Sequence, residues 1–110
     1  MTDDPQRYVL THTMLRITNP ARSLQFYRDV LGMRLVRQLD FDEAAFTLYF
    51  LQAGGHPDRA DDSFEHTFSR AGLLELTHNW DTPDDARMHS GNEAPKGFGH
   101  ICIAVPDIHA

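Results

Sequence analysis

Apolar residues return at every second position in several stretches of the chain, and at helical spacing in one. The first stretch, roughly Tyr8 to Thr18, separates Thr13, Leu15 and Ile17 from His12, Met14 and Arg16, as the alternating faces of a strand require. Asn19-Pro20 supplies a capping side chain and a proline suited to a first helical turn. Leu24, Tyr27 (with Phe26 beside it), Val30 and Leu31 then predict one apolar stripe, and Gly32 a left-handed cap. Met33 to Leu39 and Phe46 to Leu51 alternate as second and third strands, the latter with Phe46, Leu48 and Phe50 on one face. Leu73 to Trp80 is a fourth strand. Gly99 to Val105 is a fifth, with Ile101, Ile103 and Val105 opposite His100 and Cys102.

The connectors are polar. The N-terminal residues 1–7 are expected to be loose. A loop from about Ala53 to Arg70, opened by Gly54-Gly55-His56-Pro57, is long for a connector and predicts a covering role over a site or a partner. A second loop, Asp81 to Lys96, precedes the fifth strand. The pattern predicts one α+β domain over residues 1–110. It holds a complete β-α-β-β-β module at about 8–80 and the first strand of a second module at about 98–106.

Composition narrows the partners. The 110 residues are 41% hydrophobic and 24% charged with a net charge of −6, an ordinary balance for a globular domain and a poor one for nucleic acid or an anionic membrane. One cysteine rules out an intrachain disulfide and suits a reducing, cytoplasmic setting. No apolar run has the length of a membrane span, and the acidic start is not a signal peptide.

The candidate chemistry lies in Leu73-Leu74-Glu75-Leu76-Thr77-His78-Asn79-Trp80. Leu73, Glu75, Thr77 and Asn79 share a face there, and a carboxylate amid apolar neighbours is costly to bury unless something cationic meets it. His12 and His100, each on its own strand, make with Glu75 a candidate set of metal ligands. His12 and Arg16 are four apart on one strand, as are Glu75 and Asn79 on another, so each pair spans roughly 13 Å. Side by side, the strands would place ligands at one end of a groove and a cation with an amide at the other. An elongated substrate with a reactive head and an anionic tail fits such a groove, with Arg16 gripping the tail. Phe46, Leu48 and Phe50, joined by Leu39 and Phe41, would wall the head. Each residue also has a plainer reading. A strand histidine is commonly a hydrogen-bonded core or edge residue, Glu75 can simply form a salt bridge to Arg16 or another base, and the phenylalanine row is core in any case. Cys102 reads as a small apolar filler, and His56, His66, His78, His89 and His109 as solvated.

His12-Thr-Met-Leu-Arg16, Ser23-Leu-Gln-Phe-Tyr27 with Val30-Leu-Gly-Met33, Phe46-Thr-Leu-Tyr-Phe-Leu51, Leu74-Glu-Leu-Thr-His-Asn-Trp80 and Gly97-Phe-Gly-His-Ile-Cys-Ile-Ala-Val-Pro-Asp107 resemble the glyoxalase I (lactoylglutathione lyase) family of the vicinal oxygen chelate superfamily. The likeness runs from about His12 to the last residues. It implies paired β-α-β-β-β modules and one divalent metal, zinc rather than nickel, on His12, Glu75 and His100. It further implies glutathione held by Arg16, Asn79 and Lys96, and a pocket of Phe41, Phe46, Leu48 and Phe50 for the substrate's organic side chain.

The implied reaction converts the glutathione–methylglyoxal hemithioacetal into S-lactoylglutathione, with a metal stabilising the developing enediolate and a glutamate, here Glu75, carrying a proton. Family members carry a second glutamate on a second module, which these 110 residues lack. Loss of a general base is expected to cost about 10²–10⁴-fold in rate. A homodimer is expected, with no nucleic acid or membrane partner. The alternatives are another superfamily enzyme, a thiol transferase or ring-cleaving dioxygenase, and an inactive truncated binding module.

Overall fold

A computed structural model describes residues 4–53 and 71–107. Asp4 caps a 3₁₀ turn, Pro5–Arg7, by accepting from the Gln6 N–H at 3.0 Å, so residues 4–7 are more ordered than their polarity suggests. Strand β1, His12–Ile17, follows. The Asn19 side chain accepts from the Arg22 N–H at 3.0 Å and starts helix α1, Pro20–Gln25, which continues as a π-helical turn, Phe26–Val30. Strands β2 (Arg34–Phe41), β3 (Phe46–Gln52) and β4 (Leu73–Asn79) complete the regular structure.

The strands form a four-stranded sheet in the order β1-β4-β3-β2. β1 runs parallel to β4, while β3 is antiparallel to both β4 and β2. The parallel pair requires a crossover, and the helix supplies it by carrying the chain from β1 to the far edge. Helix and sheet enclose Ile17, Met33, Tyr49, Leu51, Leu74 and Leu76, with Leu15, Leu24, Tyr27 and Leu35 packed around them. A second cluster of Val36, Phe50 and Leu73, flanked by Leu39 and Leu48, lies on the opposite face. The described elements between His12 and Asn79 follow the order β-α-β-β-β.

Three expectations change. The helical stripe ends early: Leu24 and Tyr27 reach the core, but Val30 and Leu31 are exposed. The Leu31 N–H donates to the Phe26 carbonyl at 3.2 Å, five residues back, and this wider turn rotates later residues off a stripe of helical period. Gly32 closes it at φ +69°, as expected.

Strand β2 carries a bulge between Leu35 and Arg37. Strict alternation would put Met33, Leu35, Arg37 and Leu39 on one face. The extra residue reverses the alternation instead, leaving Met33 and Leu35 in the helix-side cluster and Leu39 in the other.

Residues 98–106 form no strand. A strand exists only by pairing, and among the described residues this segment pairs with neither outer edge of the sheet, β1 or β2. Its apolar residues Ile101, Ile103 and Val105 are exposed, and Cys102 is exposed rather than a filler. The long loop expected at 53–70 falls, beyond Ala53, outside the described residues, as do His56, His66 and His109.

Candidate functional site

Cross-strand register decides which side chains share the face away from the helix. Phe46, Leu48 and Phe50 of β3 stand opposite Asn79, Thr77 and Glu75 of β4. On the other side of β4, Met14 pairs with Glu75 and Arg16 with Thr77. Beyond β3, the bulge sets Arg37, Leu39 and Phe41 against Phe50, Leu48 and Phe46. One surface thus carries most of the residues singled out in the sequence.

Its most polar point is the pair His12 and Glu75. His12 Nε2 lies 3.3 Å from Glu75 Oε1, and both side chains are partly buried. The other carboxylate oxygen, Oε2, accepts from the Thr77 hydroxyl at 3.2 Å. His12 Nδ1 is 3.0 Å from Thr11 Oγ1, and the imidazole meets the fully buried Phe50 edge-on at a centroid distance of 6.0 Å. These contacts fix both side chains from two sides. Two ligand atoms at about 2.0–2.1 Å from a tetrahedral ion stand roughly 3.3 Å apart. His12 and Glu75 therefore fit as two donors to a single cation.

Arg16 and Asn79 stand to each other as His12 and Glu75 do, because the β1–β4 register is constant along the strands. The histidine–carboxylate pair occupies one end of the seam and the arginine–amide pair the other. Arg16 is exposed and Asn79 half-buried, leaving the guanidinium accessible. Phe41 stacks on Phe46 at 4.7 Å, and together with Leu48 and Phe50 they make a continuous apolar strip beside β4.

The two remaining candidates do not join this surface. His100 and Lys96 are exposed on chain without regular structure, and among the described residues no three His, Cys, Asp or Glu side chains gather as a metal site. The expected convergence of three strands is met by two. The missing contribution traces to segment 98–106, which has no strand to hold His100 in place.

Sequence spacing puts Thr77 on the face of Glu75 but gives no contact to it, and it singles out neither Thr11 nor Arg37. Thr77 was legible, since it lies two residues from Glu75 on the same strand and so on the same face. Arg37 is hidden by the bulge, and Thr11, expected within a strand from Tyr8, lies just before β1, which begins at His12.

Residues 9–110 match the sequence model of the glyoxalase/bleomycin resistance protein/dioxygenase superfamily. A lactoylglutathione lyase of Pseudomonas aeruginosa is 54% identical over 109 residues, covering 96% of this chain and 62% of the relative. A glyoxalase I of Saccharomyces cerevisiae is 50% identical over 101 residues, covering 90% of this chain and 29% of the relative. The solved structure of the trypanothione-dependent glyoxalase I of Leishmania major superposes with a TM-score of 0.69 at 32% identity, over 93% of this chain and 60% of that one. The chain thus spans less than two thirds of the length of these relatives. From the sequence match and the shared β-α-β-β-β sheet together, the chain belongs to the glyoxalase/bleomycin resistance protein/dioxygenase superfamily.

Proposed function

We propose that this chain carries the first half of a lactoylglutathione lyase site, acting on the hemithioacetal of glutathione and a 2-oxoaldehyde such as methylglyoxal. The observation that carries this reading is the approach of His12 Nε2 to Glu75 Oε1 at 3.3 Å on adjacent strands. Relatives up to 54% identical and named lactoylglutathione lyase support it. His12 and Glu75 would hold a divalent ion, zinc in preference to nickel, and His100 stays in the ligand set through the family resemblance alone. When bound, the ion supplies electrostatic stabilisation of the charge that develops on the substrate's oxygens.

The chain's own residues then have separable tasks. Arg16 pairs with the carboxylate at the γ-glutamyl end of glutathione, and Asn79 hydrogen-bonds beside it. Lys96 meets the glycyl carboxylate. Phe41, Phe46, Leu48 and Phe50 exclude water around the aldehyde-derived side chain. Glu75 accepts the proton released next to the carbonyl, because its carboxylate is the acceptor-only group on this surface that is oriented by two neighbours. The active species is proposed to be a cytoplasmic homodimer.

The test is isomerisation of the hemithioacetal, followed by thioester absorbance, with zinc or nickel added to the purified chain and its mass measured in solution. Turnover that disappears in His12→Ala and Glu75→Gln supports the proposal. Metal binding without turnover favours a second reading, a metal-binding module with no activity of its own; the gathering of only two donors among the described residues speaks for it. Neither binding nor turnover overturns both.

A further inference from the structure

Lys96, proposed above to meet the glycyl carboxylate of glutathione, is exposed on chain without strand or helix. The chain that leads to it from β4 is nevertheless closed by a series of local bonds. The Thr82 N–H donates to the Asn79 carbonyl at 2.9 Å, and the Ala86 N–H to that of Pro83 at 3.0 Å. Arg87 and Glu93 form an ion pair across the turn that follows. The Gly97 N–H then donates to the Gly91 carbonyl at 3.0 Å. Residues 91–97 therefore make a closed loop, with Lys96 next to its clasp.

Gly91 sits at the centre of that clasp. It is buried, while every other residue from Arg87 to His100 is exposed. Its N–H donates to His89 Nδ1 at 2.8 Å, and its carbonyl takes the Gly97 N–H. Its φ of +89° is a conformation that L side chains rarely adopt. A Cβ on it would run into the backbone of Phe98, whereas at Gly97 or Gly99 a Cβ would meet nothing within 4 Å. Only glycine at position 91 allows this approach. The main chain just after Lys96 is held by it twice, through the bond to Gly97 and the contact with Phe98. An ammonium carried on a fixed backbone loses less conformational freedom when it meets an anion.

We propose that Gly91 is a positioning residue for Lys96. By binding Gly97 and seating Phe98, it fixes the chain that carries the ammonium and so raises affinity for the glycyl carboxylate. This rests on the reading of Lys96 as a glutathione contact, and the test separates the two.

The experiment is calorimetric titration of the whole 110-residue chain with S-methylglutathione, which carries the peptide but no 2-oxo group to react. Lys96→Ala should weaken binding about fivefold, the upper range for an exposed ion pair. Gly91→Ala should lose a similar amount alone, but less than about twofold in the Lys96→Ala background. That non-additivity is what a merely structural role would not give. Gly99→Ala, which puts the same methyl group into open space, should bind as wild type does. Backbone amide spectra check that the sheet is intact in each variant, as expected because neither described core cluster contains a residue of 87–100.

The proposal is overturned if Gly91→Ala binds as wild type, or if it loses as much in the Lys96→Ala background as alone. If Lys96→Ala itself binds as wild type, or wild type does not bind, the reading of Lys96 fails and takes the proposal with it. A weakened Lys96→Ala beside an unchanged Gly91→Ala sinks the proposal alone.

Discussion

His12 Nε2 reaches Glu75 Oε1 at 3.3 Å, although the register partner of His12 is Leu73 and that of Glu75 is Met14. The contact is diagonal across a parallel seam and is made by side chains long enough to span it. With both groups partly exposed, such a pair contributes little to folding, at most about 1 kcal/mol. Glu75→Gln should therefore change metal-free stability by no more than about 1 kcal/mol. The loss should show in the presence of metal. A ligand at a hundred times its Kd stabilises the fold by about 2.7 kcal/mol, and most of that gain should vanish in Glu75→Gln and His12→Ala. Denaturant titrations with and without zinc check both statements.

Phe50 does the opposite work. It is fully buried, it anchors the cluster with Val36 and Leu73, and its ring meets His12 edge-on. Phe50→Ala should cost about 3–5 kcal/mol, the usual result of emptying an aromatic core position. Phe50→Leu should cost clearly less, because it refills much of the volume. If it folds well, Phe50→Leu should still weaken metal binding, since His12 loses one wall. Unfolding midpoints and zinc affinity separate the two effects.

The phenol of Tyr49 gives the fold an alkaline limit. Burial pushes its pKa above the usual 10.0, and the negative charge of Asp40 pushes it further in the same direction. The unfolded chain therefore loses this proton at lower pH than the folded one. The associated stability is whole below pH 10.0 and is lost as pH rises through the folded value. Tyr49→Phe should flatten the fall in unfolding free energy on the alkaline side of pH 10.0, read from denaturant midpoints at increasing pH.

Much of this molecule was legible because its local signals agree. Asn19-Pro20 starts the helix, Gly32 ends it, and the alternation in β1, β3 and β4 assigns the right faces. Register was not legible, and it alone sets His12 beside Glu75 rather than elsewhere along β4. The bulge near Val36 was invisible for the same reason: an inserted residue is a property of a pair of strands. The π-helical turn was hidden too, since Val30 and Leu31 keep helical spacing in sequence after the helix has widened. At His100 the alternating sequence predicts a strand, but alternation names a face and cannot supply the neighbour that a strand needs.

Ala45 shows a local preference overruled by its surroundings. It closes the turn between β2 and β3 at φ 57°, a conformation that suits glycine. Its carbonyl accepts from the Trp80 N–H at 2.9 Å, which joins this turn to the end of β4. Ala45→Gly removes the clash of a Cβ held at positive φ, worth about 1–2 kcal/mol, against a smaller entropic loss from the more flexible unfolded chain. A net gain of up to about 1 kcal/mol is expected, visible as a higher melting temperature.

The same end of β4 is tied down by a relay through Thr47. The Trp80 indole N–H donates to the Thr47 hydroxyl at 2.9 Å, and that hydroxyl donates to Asp40 at 2.7 Å. Thr47 is buried, whereas Trp80 and Asp40 are exposed. Thr47→Val keeps the shape and the preference for a strand but breaks both bonds. Because the outer partners can turn to water, neither is left stranded, and the cost should stay near 0.5–1.5 kcal/mol per bond. Trp80 is the chain's one tryptophan, so its emission reports directly on the released ring and should shift to the red. Trp80 directly follows Asn79. If the relay also steadies that amide for substrate, Thr47→Val should raise KM for the hemithioacetal while kcat stays close to wild type; an unchanged KM would confine the relay to folding.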